Sequence, residues 1–378
     1  MGNHLSKVKN HTCPTHDLSE NASTPFLNDV SFYHFNKILS GGCAAVASLI
    51  IIALLFIHAT HLSKPNEQIK IMKVGLLIPF YSILCFLSVC FPKAHVDIAP
   101  WLDVVQSLAL GSFFLLMCEF VSENPSQREV FFAAFAVPSK KSPGEKGGGL
   151  VWYRSRWIMI FQYPVVALLV AILTAITQAA GIYCQYVSKP YYSHLWLTLA
   201  KDASLVVAIL SVFKFYLALR SHLAQHKPLA KLLAFKLVVL FTFLLGILFW
   251  ILTDAKALNP TSKFTYADLN IGLPNMVICI AMVPLSVFFH YAYSCQPYFI
   301  SNLVHATREE GQPPLYYQGG FLGAKAWGRA LNPLETLKAI IFAFTMAAED
   351  YRRVHGNESN ILLEDQDRRH RRQRRQGW

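Results

Sequence analysis

Apolar residues gather in seven long blocks, at roughly 37–60, 71–92, 99–121, 157–183, 195–221, 229–253 and 270–294, with polar stretches between them. Each block reaches the roughly 17–25 residues that a helix needs to cross the hydrocarbon core of a bilayer. The apolar residues run together instead of alternating with polar ones, which argues against half-buried strands. The pattern predicts an all-α protein, a polytopic seven-transmembrane helix bundle. Gly41, Gly42, Pro79, Gly111, Pro164, Gly246, Pro274 and Pro284 fall inside the blocks. Such residues persist where neighbouring helices re-satisfy the backbone, so the spans are expected to pack together.

Outside the 35–295 membrane domain, the pattern predicts a tail over 1–34, a linker over 296–330, an amphipathic helix over 331–355 and a basic disordered tail over 356–378. In "LNPLETLKAI", Asn332 suits an N-cap, Pro333 the first helical position, and Glu335 the last position of a capping box. Leu334, Leu337, Ile341, Phe344 and Tyr351 share one face at helical spacing, which predicts a helix lying against the membrane or the bundle. In the 122–156 loop, "VFFAAFAV" is too short to span and reads as interfacial or re-entrant, and "PSKKSPGEKGGG" after it reads as a flexible basic linker. Trp152, Tyr153 and Trp157 are expected to mark one membrane boundary, and Trp101, Trp196 and Trp250 the other.

Composition agrees: 54% of residues are hydrophobic and 15% charged. The net charge of +12 changes the picture only through its placement. Lys64, Lys70, Lys73, Arg128, Lys140, Lys141, Lys146, Arg154, Arg156, Arg220, Lys227 and Lys231 fall in or beside one set of loops; Lys93, Lys189, Lys256 and Lys263 fall in the other. The positive-inside rule puts the first set in the cytosol and the N-terminus outside. The C-terminal run "RRHRRQRR" is then cytosolic, so the basic charge points to a lipid bilayer as partner and not to nucleic acid. No cleavable signal peptide is evident, and the first span is expected to translocate the tail. Sequons at Asn10 and Asn21 are candidate glycosylation sites of a glycoprotein on that side. The opening "MGNHLSK" fits a myristoylation pattern that requires a cytosolic N-terminus, but it uses one short motif where the charge count uses every loop. A plasma-membrane and an endosomal or vacuolar address both suit this organisation.

The eight cysteines include no C-x-x-C pair and no metal-ligand spacing. Cys43, Cys85, Cys118 and Cys279 read as small core residues. Cys90, Cys184 and Cys13 are candidate disulfide partners, and Cys295 a candidate for palmitoylation. Catalytic motifs are absent: there is no H-E-x-x-H, G-x-S-x-G or phosphate loop, and "HATH" (His58, His61) reads as interfacial histidines. The expectation is not an enzyme, with no cofactor and no metal.

Candidate chemistry lies in the membrane. Lys214 and Lys236 stand eight residues either side of the turn joining the fifth and sixth spans, between His222 and Pro228. A rise of about 1.5 Å per residue puts both at one depth, about 12 Å in. Either is able to snorkel to the headgroups. The functional alternative is a substrate-binding site for an anion, with Glu119 of span three between the lysines if no anion is there. Asp202 beside Lys201, and His290 of span seven, complete the candidate set. Gln106, Gln162, Gln178 and Asn275 add uncharged polar groups at depth.

Several strings carry a resemblance: "LALGSFFLLMCEFV", "QYPVVALLVAILTAITQAAGIY", "FYLALRSHLAQHKPLAKLLAFKLVVLFTFLLGIL", "ICIAMVPLSVFFHYAYS" and "LNPLETLKAI". In order and spacing, over most of 35–345, they resemble the organic solute transporter alpha-subunit family with its transmembrane protein 184 branch. Pro228, Lys231 and Lys236 fit that family's P-x-x-K-x-x-x-x-K. The resemblance implies seven spans, an outside N-terminus and facilitative transport of amphipathic organic solutes, anionic and steroid- or lipid-like. As partners it implies such a small-molecule solute and either a single-span subunit or a homo-oligomer. Two positions depart from the family: residues 122–156 lack its cysteine cluster, and Lys214 stands where an apolar residue is expected. The alternative function is a non-transporting membrane scaffold or receptor-like protein acting through its cytosolic tail.

Overall fold

The computed structural model describes residues 7–8, 11–14, 18, 24–26, 29–135, 148–185, 187, 189–223, 228–255, 257–300 and 316–348. The predicted class holds. Seven helical spans are long and apolar enough to cross a membrane, and the described strands form a single two-residue ladder, β1 (Lys7–Val8) with β2 (His11–Thr12). The spans are built from α1 (Phe32–Thr60), α2 (Pro65–Gly75) with α3 (Leu77–Cys90), α4 (His95–Val121), α6 (Gly149–Ala179), α7 (Ser193–Leu223), α8 (Pro228–Asp254) and α9 (Leu273–Ala292). The short α5 (Pro125–Ala134) lies between α4 and α6, and α10 (Ala324–Leu331) and α11 (334–348) follow the last span.

Span two breaks at Leu76 because Pro79 lacks an N–H and its ring crowds the carbonyl of residue 75, one turn back. The break lies where Gly75 lets the chain press against Leu55 of α1.

α4 is the central helix. Residues 109–118 are buried without interruption, as expected of a helix apolar on every side. It packs against α2, α3, α6 and α7, and Phe113 stacks on Phe235 of α8 at 5.2 Å. α1, α3 and α8 surround α9. Outward residues such as Ile38, Leu49, Leu169, Leu210 and Leu248 are exposed on the bundle surface, as lipid-facing positions should be.

Two sequence expectations need correction here. Tyr153 and Trp157 do not face outward: both are buried in an aromatic cluster with Phe114, Phe132, Phe161 and Phe215. Their large rings gain by packing on one another, stacked for Phe132 on Tyr153 and edge-on for Phe114 on Trp157. Trp101, Trp196 and Trp250 are about half exposed near the other ends of their spans, as expected. His58 is likewise buried, its Nε2 bonded to the Tyr293 carbonyl at 2.8 Å, while His61 is exposed and packs on Phe299.

The spans present two faces. The N-terminal face carries residues 24–26, the 91–94 and 180–192 turns and the 257–267 segment; Thr24 donates to the Ser262 carbonyl, and Cys13 is bonded to Cys184. Cys90 is buried and in no disulfide, so of the candidate pairings only Cys13 with Cys184 forms among the described residues. Asn10 and Asn21 lie outside the described residues.

On the C-terminal face, the stretch expected as linker is partly ordered against the bundle. Gln318 donates to the Leu62 carbonyl, and the Tyr317 hydroxyl to that of Ala59. Gly323, at φ +77°, lies so close to the Ala59 backbone that a Cβ would have no room. Asn332 caps α11 as predicted, accepting from the Leu334 N–H at 2.9 Å. Glu335 does not close the capping box; its carboxylate goes to Lys70 and Lys73 of α2 instead. α11 docks through Thr336, Ala339, Ala343 and Met346, and Trp157 donates to the Ala339 carbonyl at 2.9 Å. The predicted stripe of Leu334, Leu337, Ile341 and Phe344 is turned outward and exposed; Tyr351 lies outside the described residues.

Candidate solute cleft between the fifth and sixth spans

The candidate site is built on α4. Phe113 and Phe120, about two turns apart on this helix, receive Phe235 and Lys231 of α8. α7 approaches the same helix from the other side, where Phe215 meets Phe114 edge-on at 4.9 Å. α7 otherwise packs on α6, and α8 on α9, so the two helices, although consecutive in the chain, meet mainly through side chains. The wide apolar waist of α4 lies between them.

Lys236 reaches across this gap. It is half-buried, with its ammonium 4.9 Å above the Phe213 ring of α7. A cation over an aromatic face is attracted by the ring quadrupole, by about 0.5–2 kcal/mol depending on desolvation. Lys231 is more deeply placed, at 8% exposure, with its ammonium 4.5 Å above Phe120. Neither lysine has a carboxylate within ion-pair distance among the described residues. A charge in a low-dielectric site normally has such a partner.

The other predicted residues are not gathered around Lys236. Lys214 shares its depth but is exposed on the surface of α7. Glu119 does not stand between the lysines: it pairs with Lys70 at 3.1 Å and with Arg128 at 3.4 Å. Two nearby guanidinium and ammonium donors hold it more firmly than the distant α7 and α8 lysines. Asp202 stands twelve residues from Lys214 along α7, about 18 Å by helical rise. There Lys201 bridges it, at 3.4 Å, to Asp103 of α4, at 3.2 Å. His290 is exposed near the end of α9 and makes no contact with Lys236.

Sequence reading missed Asp103, although an acid three residues before Gln106 marks a polar face on α4. That face continues inward: the Tyr81 hydroxyl donates to Gln106, which donates to Tyr163 at 3.2 Å. Gln162 and Ser204 pair at 2.7 Å between α6 and α7. Among the described residues no group of three or more His, Cys, Asp or Glu side chains is arranged to hold a metal.

At the C-terminal face Glu335 is held below the ordinary carboxylate range: burial alone would raise it, but Lys70 and Lys73 outweigh that. A carboxyl lowered in the folded state stabilises it above the unfolded value, about 4.3, and the contribution disappears as pH falls through the lowered folded value. Protection from hydrogen exchange over 334–348, taken relative to the intrinsic rate at each pH, is therefore expected to fall below about pH 4 in the native chain. Glu335→Gln should exchange faster already at neutral pH and respond less to acid; parallel profiles for the two proteins would remove Glu335 from the docking of α11.

Residues 36–298 match the family described as Organic solute transporter Ostalpha. The chain belongs to that family. It is similar to a transmembrane protein 184 homolog of Dictyostelium discoideum, 23% identical over 75% of this chain and 57% of the relative. It is also similar to Protein LAZ1 of Arabidopsis thaliana, 26% identical over 69% of this chain and 58% of that protein, and to LAZ1 homolog 1 of the same plant, at 25%, 67% and 56%. The chain thus spans little more than half the length of these relatives. No solved structure matches it.

Proposed function

We propose that this Ostalpha-family membrane protein is a facilitative transporter of amphipathic organic anions, with Lys236 contacting the anionic group and Phe213, Phe113 and Phe235 the apolar body. The observation that carries the reading is the half-buried Lys236, lying on an aromatic ring across the gap between two loosely packed spans and without a carboxylate partner among the described residues. Lys231, five residues nearer the start of α8 and above Phe120, is a second anion contact on the same helix. Family membership supports a transport role, and the solute class is inferred from the charge and the rings.

The test is efflux of a sulfated steroid from liposomes holding the purified full chain. Lys236→Leu is expected to insert and fold normally and to lose about tenfold or more of the flux, the scale of one lost charge-assisted contact. Unchanged flux would remove Lys236 from the mechanism. No flux from the native protein under conditions that retain its fold would favour the tail-dependent scaffold reading.

We infer further that the N-terminal face lies outside the cytosol. The Cys13–Cys184 bond supports this, because disulfides persist in oxidising compartments, and so does the loop charge. Peptide mapping after alkylation without reductant is expected to recover the Cys13 and Cys184 peptides cross-linked. Recovery of both as alkylated thiols from cells would reverse the orientation. Cys184→Ser is expected to cost about 2–5 kcal/mol of stability.

A further inference from the structure

A cavity of about 340 Å³ opens on the C-terminal face where α2 meets the joint between α10 and α11. Three cations line it, Lys70, Lys73 and Arg329, together with Asn66, Asn332 and a single carboxylate, Glu335. The two lysines are held in place, with side chains 6% and 9% exposed. Arg329 is exposed and has no ion pair among the described residues. Positive charge therefore exceeds negative among the lining residues; Glu335 neutralises part of it, at 2.8 Å from Lys70 and 2.7 Å from Lys73, and Glu119, which does not line the cavity, also pairs with Lys70 at 3.1 Å. The surroundings are those of a membrane interface. Phe321, Leu322, Leu331 and Leu334 are all more than half exposed around the same joint, at the end of a membrane bundle. Neither the Lys236 cleft nor a transport role has any part in this arrangement.

We propose that this cavity binds a phosphate monoester, as carried on the headgroup of an anionic lipid, and that Glu335 is the built-in competitor the phosphate displaces. The chemistry fits. A dianionic phosphate offers three acceptor oxygens to two ammoniums and a guanidinium, where a carboxylate offers one charge and reaches only the lysines. The amide side chains of Asn66 and Asn332 supply neutral donors at the rim. The exposed apolar side chains give the acyl chains of such a lipid a surface to lie on.

The competition makes the proposal testable with variants of opposite sign. The full chain, purified in detergent, is titrated with short-chain phosphatidylinositol 4-phosphate, phosphatidylinositol, inositol 1,4-bisphosphate and inorganic phosphate. The native protein is expected to bind the phosphorylated lipid about tenfold or more tighter than phosphatidylinositol. Lys73→Gln with Arg329→Gln should lose that preference, and Glu335→Gln should bind more tightly than the native chain. Arg329→Gln alone, at an exposed position without an ion pair among the described residues, should weaken binding without loss of fold. Binding of inositol bisphosphate or inorganic phosphate as tight as that of the lipid would support the anion site and assign it a soluble ligand. Equal affinity for the two lipids, equal affinity in the native and double-variant proteins, or weaker binding by a Glu335→Gln protein whose 334–348 segment is still protected from exchange would each overturn the proposal.

Discussion

Glu119→Gln is expected to destabilise the purified chain by about 3–5 kcal/mol, the scale for breaking a buried ion pair from one side. Glu119, Lys70 and Arg128 have side chains only 10%, 6% and 7% exposed, so water screens the triad little. The Gln side chain keeps the shape and removes the charge. Lys70 retains Glu335, but Arg128 loses its carboxylate and is left with neutral partners, the Ser122 carbonyl at 2.7 Å and the Tyr153 hydroxyl. Thermal denaturation of the full chain in detergent, followed by exposure of buried thiols such as Cys85 and Cys118, reads the effect. Glu119→Leu combined with Arg128→Leu should recover much of the loss, since removing both charges spares the desolvation of either. An unchanged melting temperature for Glu119→Gln would show the triad to be solvated in the membrane protein.

The Glu119 result would also separate two kinds of cation that look alike in sequence. Lys70 and Arg128 are cations matched by carboxylates from distant segments, and such matches are set by how α2, α4 and α5 meet. Nothing local in "NEQIKIMK" or "SQREVFF" announces them. Lys214 and Lys236 were visible because a charge inside an apolar run contradicts its own surroundings. That rule found the unmatched Lys236, paired it with a Lys214 that is exposed on α7, and misassigned Glu119 to the pair. Hydrophobic blocks and their lengths sufficed for the seven spans, since membrane crossing depends on the run of side chains alone. The ordering of the spans around α4 was not legible: it follows from which faces interdigitate, and an all-round apolar helix has no face to read. The Asn332 cap was legible because it concerns only three consecutive residues. The Glu335 half of the box was lost to two lysines more than 260 residues away in the chain, whose charge a backbone N–H cannot match.

Phe132→Ala is expected to be as costly as the loss of Glu119, about 3–5 kcal/mol, although Phe132 belongs to the string "VFFAAFAV" that by length reads as interfacial or re-entrant. The ring is fully buried. It stacks on Tyr153 at 4.1 Å with planes 7° apart and lies 5.9 Å from Phe215, tying α5 to the first turns of α6 and to α7. Gly149 completes the joint, because the Phe132 and Phe135 carbonyls approach its Cα too closely for any side chain. Deleting the ring leaves a cavity that this rigid cluster cannot collapse to fill, and frees α5 from the bundle. Val130, on the same short helix, is 69% exposed and supplies the control. If α5 is packed, Phe132→Ala lowers the melting temperature sharply and opens 122–135 to protease, while Val130→Ala changes little. If α5 merely rests on the lipid surface, the two substitutions behave alike, and the aromatic joint is not what holds the third loop in place.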